Sequence, residues 1–292
     1  MAKITVIGSS SMDLVVTAFK RPEKGETIIG ESFKTVPGGK GANQAVAAAR
    51  LGAEVTMVGC IGTDSFGDVI LDNFIKNGVH TEYVERVTGV ESGTAHITLA
   101  EGDNSIIVVK GANNYLTPAL VDRAKQAILE ADIVLIQQEI PEETVDYVAE
   151  LCHANGIALL LNPAPARPIK KEVIEKASYI TPNELEAAIL FDNNDILASF
   201  KQYPNKLFIT EGKNGVRFFN GNEEILVPAY QVETVDTTGA GDTFNAAFAV
   251  ALAEGKTIQD SVRFANRAAS LSVTKFGAQG GMPVRSEVER SL

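Results

Sequence analysis

Tryptophan is missing from this 292-residue chain, and cysteine, histidine and methionine number only two, three and four. Cys60 and Cys152 lie far apart in apolar segments and form no metal-ligand spacing with the histidines, so both read as buried free thiols. Nowhere do eighteen uncharged apolar residues run together, and MAKITVIGSS enters a strand without a charged leader and apolar run. A membrane span and an export signal are therefore not expected, and the chain reads as soluble and cytoplasmic. Positive charge is scarce as well: 26 basic residues face 37 acidic ones, a net charge of −11, which argues against nucleic acid as a partner. Any phosphate site must then be local, built from backbone dipoles, a few cations and bound metal. No Pro- or Ser-rich linker interrupts the sequence, so one compact unit over residues 1–292 is expected, with ample core material in its 45% hydrophobic content.

Among what is present, DTTGAGDTF (Asp236 to Phe244) carries the most chemistry. Gly239, Ala240 and Gly241 leave the backbone bare at the start of an apolar helix, so consecutive N–H groups can converge on one anion. Asp242 sits inside that anion pocket, where a carboxylate repels phosphate unless it takes a proton from an attacking hydroxyl. A Gly-rich turn with Asp242 as an ordinary helix cap is the plainer alternative.

The rest of the chain alternates strand and helix, an α/β pattern. KITVIGSS is a buried strand feeding a loop closed by Asp13, which places Ser11 and Asp13 where ligands gather beyond the carboxyl ends of strands. Two pairs of segments, about 14–36 and 94–110, break the alternation and are expected to form one small accessory sheet whose apolar face closes over the main body, meets a second subunit, or both. His96 falls on the polar side of one of these strands and reads as a surface residue. PGGKGANQAVAAARLGA lacks the third glycine of a dinucleotide fingerprint, Gln44 standing there instead. What remains is Gly38, Gly39 and Gly41 bringing backbone close to a ligand, with Lys40 and Asn43 as donors suited to a hydroxyl-rich sugar, or a purely structural turn. Leu116 to Ala131 is expected as one helix, and Glu139 and Asn162 follow strand ends. Asn183 and Glu186 could hold metal-bound water near phosphates, although their spacing is also that of a capping box. Leu207 to Gly215 suits a nucleotide loop, and the small residues of Ser272 to Pro283 leave carbonyl oxygens for a weakly hydrated monovalent cation. GKT at Gly255 to Thr257 is no P-loop, since Val250 holds the first glycine position.

GGKGANQAVAAARLGA and DTTGAGDTFNAAF together resemble the two signatures of the ribokinase, or PfkB-type, family of carbohydrate kinases. The resemblance extends through GSSSMD, NPAPAR, TPNELE, TEGKNG and GAQGGMP. It implies a three-layer α/β/α fold with a mostly parallel central sheet and a small β-sheet lid, and ATP-dependent phosphorylation of a small sugar, D-ribose at its 5-hydroxyl. Asp242 is then the catalytic base and the N–H groups of Gly239, Ala240, Gly241 and Asp242 the anion hole. Implied sugar contacts are Ser11, Met12, Asp13, Gly39, Lys40, Gly41, Ala42, Asn43, Glu139 and Asp242. Implied nucleotide contacts are Asn183, the loop Thr210, Glu211, Gly212, Lys213, Asn214 and Gly215, then Gly241, Asp242 and Asn266. Glu186 would act on Mg²⁺ through water, and an activating K⁺ would take Asp236, Thr238, Ser272, Lys275, Gly277 and Gly281, mostly through backbone oxygens. The uncovered apolar face of the accessory sheet leads to the expectation of a homodimer through the lid sheet. Ser11 departs from the family, in which asparagine is frequent at that place and offers more donors. A fructokinase-like specificity is the nearest alternative, a non-catalytic sugar sensor a more distant one. A nucleoside acceptor would call for aromatics near the first sugar loop, where few occur.

Overall fold

Short β-branched runs bounded by glycine build the centre of the molecule, whose computed structural model describes residues 1–191 and 196–292. β1 (Lys3–Ile7) passes through three residues into β2 (Ser11–Thr17), followed by β3 (Ser32–Gly38), α1 (Lys40–Arg50), β4 (Glu54–Gly62), α2 (Ser65–Lys76) and β5 (His80–Val87). A second excursion, β6 (Gly93–Ala100) and β7 (Asp103–Val109), returns through a tight turn at Gly111–Tyr115 to α3 (Pro118–Arg123), α4 (Lys125–Leu129) and β8 (Ile133–Ile136). Next come α5 (Glu142–Asn155), β9 (Ala158–Leu161), α6 (Lys171–Lys176), β10 (Tyr179–Ile180), α7 (Glu184–Leu190) and α8 (Ile196–Gln202). Strands β11 (Phe208–Thr210), β12 (Val216–Phe219) and β13 (Glu224–Val227) precede the helices α9 (Ala240–Ala253), α10 (Ile258–Ser272), α11 (Ala278–Gly281) and α12 (Arg285–Glu289).

The central sheet runs β10-β9-β8-β1-β4-β5 with every pair parallel. Parallel strands need helical crossovers, and those helices cover both faces. Alternate residues of β1 accordingly enter two different cores: Ile4 and Val6 pack with Val46 of α1 and Phe248 of α9, Ile7 with Val121 of α3 and Val148 of α5. Cys60 and Cys152 are buried and free in the second core, where burial pushes both thiols up to about 12. An antiparallel sheet β11-β12-β13 extends the layer through bridges from Ile180 to Leu207 and Asn183 to Thr210.

The accessory sheet has the order β3-β2-β6-β7 and stands apart from the central one. Its edge strand β7 is exposed along its whole length, with Ile107 at 70% and, on β3, Phe33 at 62%. Two of the chain's crossings between the sheets are tied by one side chain. Asn113 accepts from the N–H of Ser10 (2.9 Å) and donates to the carbonyls of Ser10 (2.8 Å) and Lys110 (2.9 Å).

Three expectations need correcting. The first accessory strand begins at Ser11, not Leu14, so Ser11 and Asp13 are strand rather than loop residues. Its partner forms only from Ser32, because β2 ends at Thr17 and leaves 27–31 nothing to pair with beyond one bond from Glu31 N–H to the Thr17 carbonyl. The helix expected over 116–131 is two helices separated at Ala124, whose N–H bonds back to Val121. Val121, Ala124 and Ile128 share one buried face, so the apolar stripe hides the break.

Candidate active site

Glycine sets how closely the two halves of the site approach. A Cβ on Gly41 would stand 2.6 Å from the backbone of Gly8 and Ser9, so only a bare backbone lets α1 begin against the exit of β1. There the Ala42 N–H donates to the Ser9 carbonyl (2.8 Å). Glu139, just past β8, draws the same corner together by accepting from the Ser9 hydroxyl (2.5 Å) and the Lys40 N–H (3.0 Å). Strand alternation places Ser11 and Asp13 on one face, where the Ser11 hydroxyl donates to Asp13 (3.3 Å). Met12 points the other way into the core and Ala42 is buried with its N–H in use, so neither side chain meets the cavity. A cavity of about 700 Å³ opens beyond, lined among others by Lys40, Asn183, Thr210, Gly212, Gly241 and Asp242.

Asp242 lies at the floor of this cavity, in the first turn of α9 behind the left-handed Gly239 (φ 78°). It caps nothing with its side chain. Instead Oδ2 accepts from Asn43 Nδ2 (2.9 Å) and Oδ1 from Gln44 Nε2 (3.1 Å). Burial raises the Asp242 pKa, opposed by the Lys40 ammonium and by these two amides, with Glu139 adding to the rise. Lys40 is half-buried near Asp242, Glu139 and Glu186, and although desolvation lowers its pKa, their charges outweigh it and raise the pKa overall. Asp13 is pushed up to about 6, chiefly by burial and also by Glu139 and Asp242, against the lowering effect of Ser11. Asp242, Glu139 and Glu186 thus act on one ammonium, and Asp13 stands against the first two.

Of the four N–H groups expected to form the anion hole, that of Ala240 is taken by the Thr237 carbonyl (3.2 Å). Those of Gly239, Gly241 and Asp242 have no protein acceptor among the described residues. On the nucleotide side, Asn183 and Glu186 form a full capping box, each accepting the other's backbone N–H (2.8 and 2.9 Å). Burial raises the Glu186 pKa, while the Asn183 N–H and Lys40 lower it. The Thr210 to Gly215 loop lines the cavity, with the Glu211 carboxylate held by Arg217 (2.5 Å). Asn266 spends its amide hydrogens on the Val227 (2.9 Å) and Pro228 (3.2 Å) carbonyls, leaving its oxygen for a ligand.

The residues expected around a monovalent cation come together where 236–238 meets 272–281. Asp236 accepts from the N–H of Thr238 and of Gly277, both at 2.9 Å; these bonds outweigh burial and lower its pKa. Gly281 rests on the Ser272 carbonyl, where a Cβ would come within 1.9 Å of the oxygen. The Asp236 carboxylate and the Ser272 carbonyl are oxygen donors of the kind a weakly hydrated cation takes. The Lys275 ammonium is not among them and lies 3.9 Å from Glu287. No group of three or more His, Cys, Asp or Glu with metal-holding geometry occurs among the described residues.

Sequence reasoning missed the amides behind Asp242. Gln44 also donates to Asn162 Oδ1 (3.1 Å) and accepts from Gln137 (2.6 Å), while Asn43 Oδ1 accepts from Gln279 (3.1 Å). The available signal was a polar pair, Asn43–Gln44, inside an otherwise apolar helix.

The pfkB family carbohydrate kinase model matches residues 1–285. The chain is 66% identical to a ribokinase of Bacillus subtilis over 292 residues, covering all of both proteins. It is 50% identical to a ribokinase of Lactococcus lactis, with 100% of this chain and 97% of the relative covered. A solved structure of an Arabidopsis thaliana ribokinase complexed with ribose and ATP superposes with a TM-score of 0.92 at 36% identity, covering 99% of this chain and 98% of that one. With two glycine-led helix starts meeting over a buried aspartate and a family match spanning nearly the whole sequence, the chain belongs to the pfkB family of carbohydrate kinases.

Proposed function

We propose that this protein transfers the γ-phosphoryl group of ATP to the 5-hydroxyl of D-ribose. The observation that carries the reading is the convergence of Asp242, the open N–H groups of Gly239 and Gly241, and a cavity lined by the expected nucleotide-side residues that ends on Lys40 and Asp242. The ribokinases it resembles supply the sugar and the nucleotide. Asp13, Glu139, Lys40 and Asn43 would accept and donate to the sugar's hydroxyls. Asp242 would take the proton of the attacking hydroxyl, and the N–H groups at the start of α9 would stabilise charge on the moving phosphoryl. Water beside Glu186 would position Mg²⁺, which neutralises phosphate charge when bound. The Asp236 and Ser272 to Gly281 loops would hold K⁺, which braces the start of α9 from behind. The accessory sheet would close over the sugar and exclude water, with its exposed apolar strands meeting a second copy; a single chain's mass in light scattering would remove the dimer from this reading.

The test is a coupled ADP-release assay over a panel of pentoses and hexoses, with K⁺ present or replaced by a bulky organic cation. Ribose should be the best acceptor and turnover should fall without K⁺. Preference for fructose would move the specificity to the alternative, and no turnover with any sugar would favour a sensor.

Ribose affinity should also depend on Asp13. A neutral carboxyl accepts less well than a carboxylate, so affinity should weaken as pH falls below about 6, by up to about tenfold per unit. Stability of the unliganded protein should move the opposite way. A carboxyl whose pKa is raised on folding contributes stability fully below its ordinary value of 3.8, and that contribution is lost as pH rises through about 6. Calorimetric titration and thermal melts between pH 5 and 8 check both slopes, and Asp13→Asn should flatten each.

A further inference from the structure

We propose that Gln279 and Asn73, which lie outside the cavity, are positioning residues that fix which end of the Asn43 amide faces the catalytic carboxylate. The inference rests on the role given to Asp242 above.

A primary amide can present either a donor or an acceptor, and its orientation is decided by its neighbours. Starting from Asp242, Asn43 Nδ2 donates to Oδ2, and Asn43 Oδ1 accepts from Gln279 Nε2 at 3.1 Å. Gln279 Oε1 accepts from Asn73 Nδ2 at 2.8 Å. Asn73 Oδ1 and its carbonyl accept from Asn77 Nδ2 (3.3 and 2.8 Å), and Asn77 Oδ1 accepts from Arg50 Nε at 2.9 Å. The row therefore ends in a guanidinium, which only donates, and in a carboxylate, which when ionised only accepts. Both ends impose the same sense on all four amides between them. Arg50 also grips the backbone of the row, donating to the carbonyls of Gln279 (2.5 Å) and Met282 (3.2 Å).

The other oxygen of Asp242 has no such anchor. Gln44 takes its orientation from neutral groups, accepting from Gln137, whose own Oε1 is buried without a partner, and donating to Asn162 Oδ1. Only the Asn43 side is tied to a fixed charge. Without that tie, the Asn43 donor is held toward Asp242 from one side only, and its bond to Oδ2 is less firmly fixed.

The groups facing Asp242 are Lys40 from α1, Glu139 beyond β8, Asp13 from β2 and Glu186 from α7. None of them bonds to Gln279 or Asn73, so a shift in the acid limb of the rate profile reports the amide row. Loosening the Asn43 donor weakens an influence that lowers the Asp242 pKa, and the limb must move to higher pH.

Three variants of the full chain separate the possibilities. Asn73→Asp is isosteric but cannot donate to Gln279, so it should reverse Gln279 and withdraw its donor from Asn43. Asn73→Leu and Gln279→Leu cut the row without adding charge. All three should lower kcat by about tenfold or more and raise the acid limb of kcat by about one pH unit, with the KM for ATP unchanged. A shift in Asn73→Asp alone would assign the effect to its new charge and overturn the proposal. So would melting temperatures that fall while the limb stays at its wild-type position. Asn73 is half-buried and touches the site only through Gln279, which keeps the test open if Gln279→Leu does not fold. Failure of the underlying reading is a separate result, since it would appear as wild-type turnover by Asp242→Asn.

Discussion

Asp242→Asn should lower turnover on ribose by about 10²–10⁴-fold while leaving ribose affinity within about tenfold of wild type. The size follows from the proposed role: removing a general base forfeits the proton transfer, whereas the sugar would keep its other proposed partners at Asp13, Glu139 and Lys40. The variant should also fold. A carboxamide at position 242 offers one acceptor and one donor to two amides that both now donate. The Asn43 amide is held by Gln279, so the acceptor must face it. The new donor then meets Gln44 Nε2, which also donates to Asn162 Oδ1, so the mismatch should lower the melting temperature rather than abolish the fold. ADP release gives kcat, calorimetry gives ribose affinity, and a melt checks folding. A variant that phosphorylates ribose at the wild-type rate would remove Asp242 from the base role.

The second large effect separates two glycines only two residues apart. Gly239→Ala places a side chain on a left-handed backbone, at a cost of about 1–2 kcal/mol, and drives its Cβ to 2.7 Å from the Ala278 Cβ. The start of α9 must shift, and a displacement of about 1 Å at a reacting centre costs about 10²-fold in rate. Gly241 has no positive φ, and its Cβ would meet nothing within 4 Å. Gly241→Ala should melt like wild type, yet its methyl group enters the cavity where the phosphoryl is expected to pass. Turnover should therefore collapse in both, with melting temperature lowered only in Gly239→Ala. Wild-type kinetics in Gly241→Ala would place the phosphoryl elsewhere.

How much of this was legible in the sequence depends on how local each feature is. The GAGD turn, the GGKG turn and the capping box at Asn183 and Glu186 are written within a few residues, and their positions in the structure follow from small residues preceding apolar helices. The two-faced burial of β1 and β8 follows likewise from continuous apolar runs. Gln44, Gln137, Gln279 and Asn73 are different. Asn43 meets partners 199 and 236 residues away, and Gln279 meets Asn73 across 206, so only the packing of α1, α2, α9 and α11 decides which amides become neighbours. Ser11 to Asp13 failed for another reason. With three residues between two sheets, SMD has too short a pattern to separate a loop from the first residues of a strand.

Gly8–Ser10 would by composition belong to the loosest parts of the chain, yet Asn113 binds both the N–H and the carbonyl of Ser10. Its amide hydrogen is consequently shielded from solvent without belonging to any strand. It should exchange with deuterium only when the joint between the accessory and central sheets opens, so its exchange rate would report any such opening.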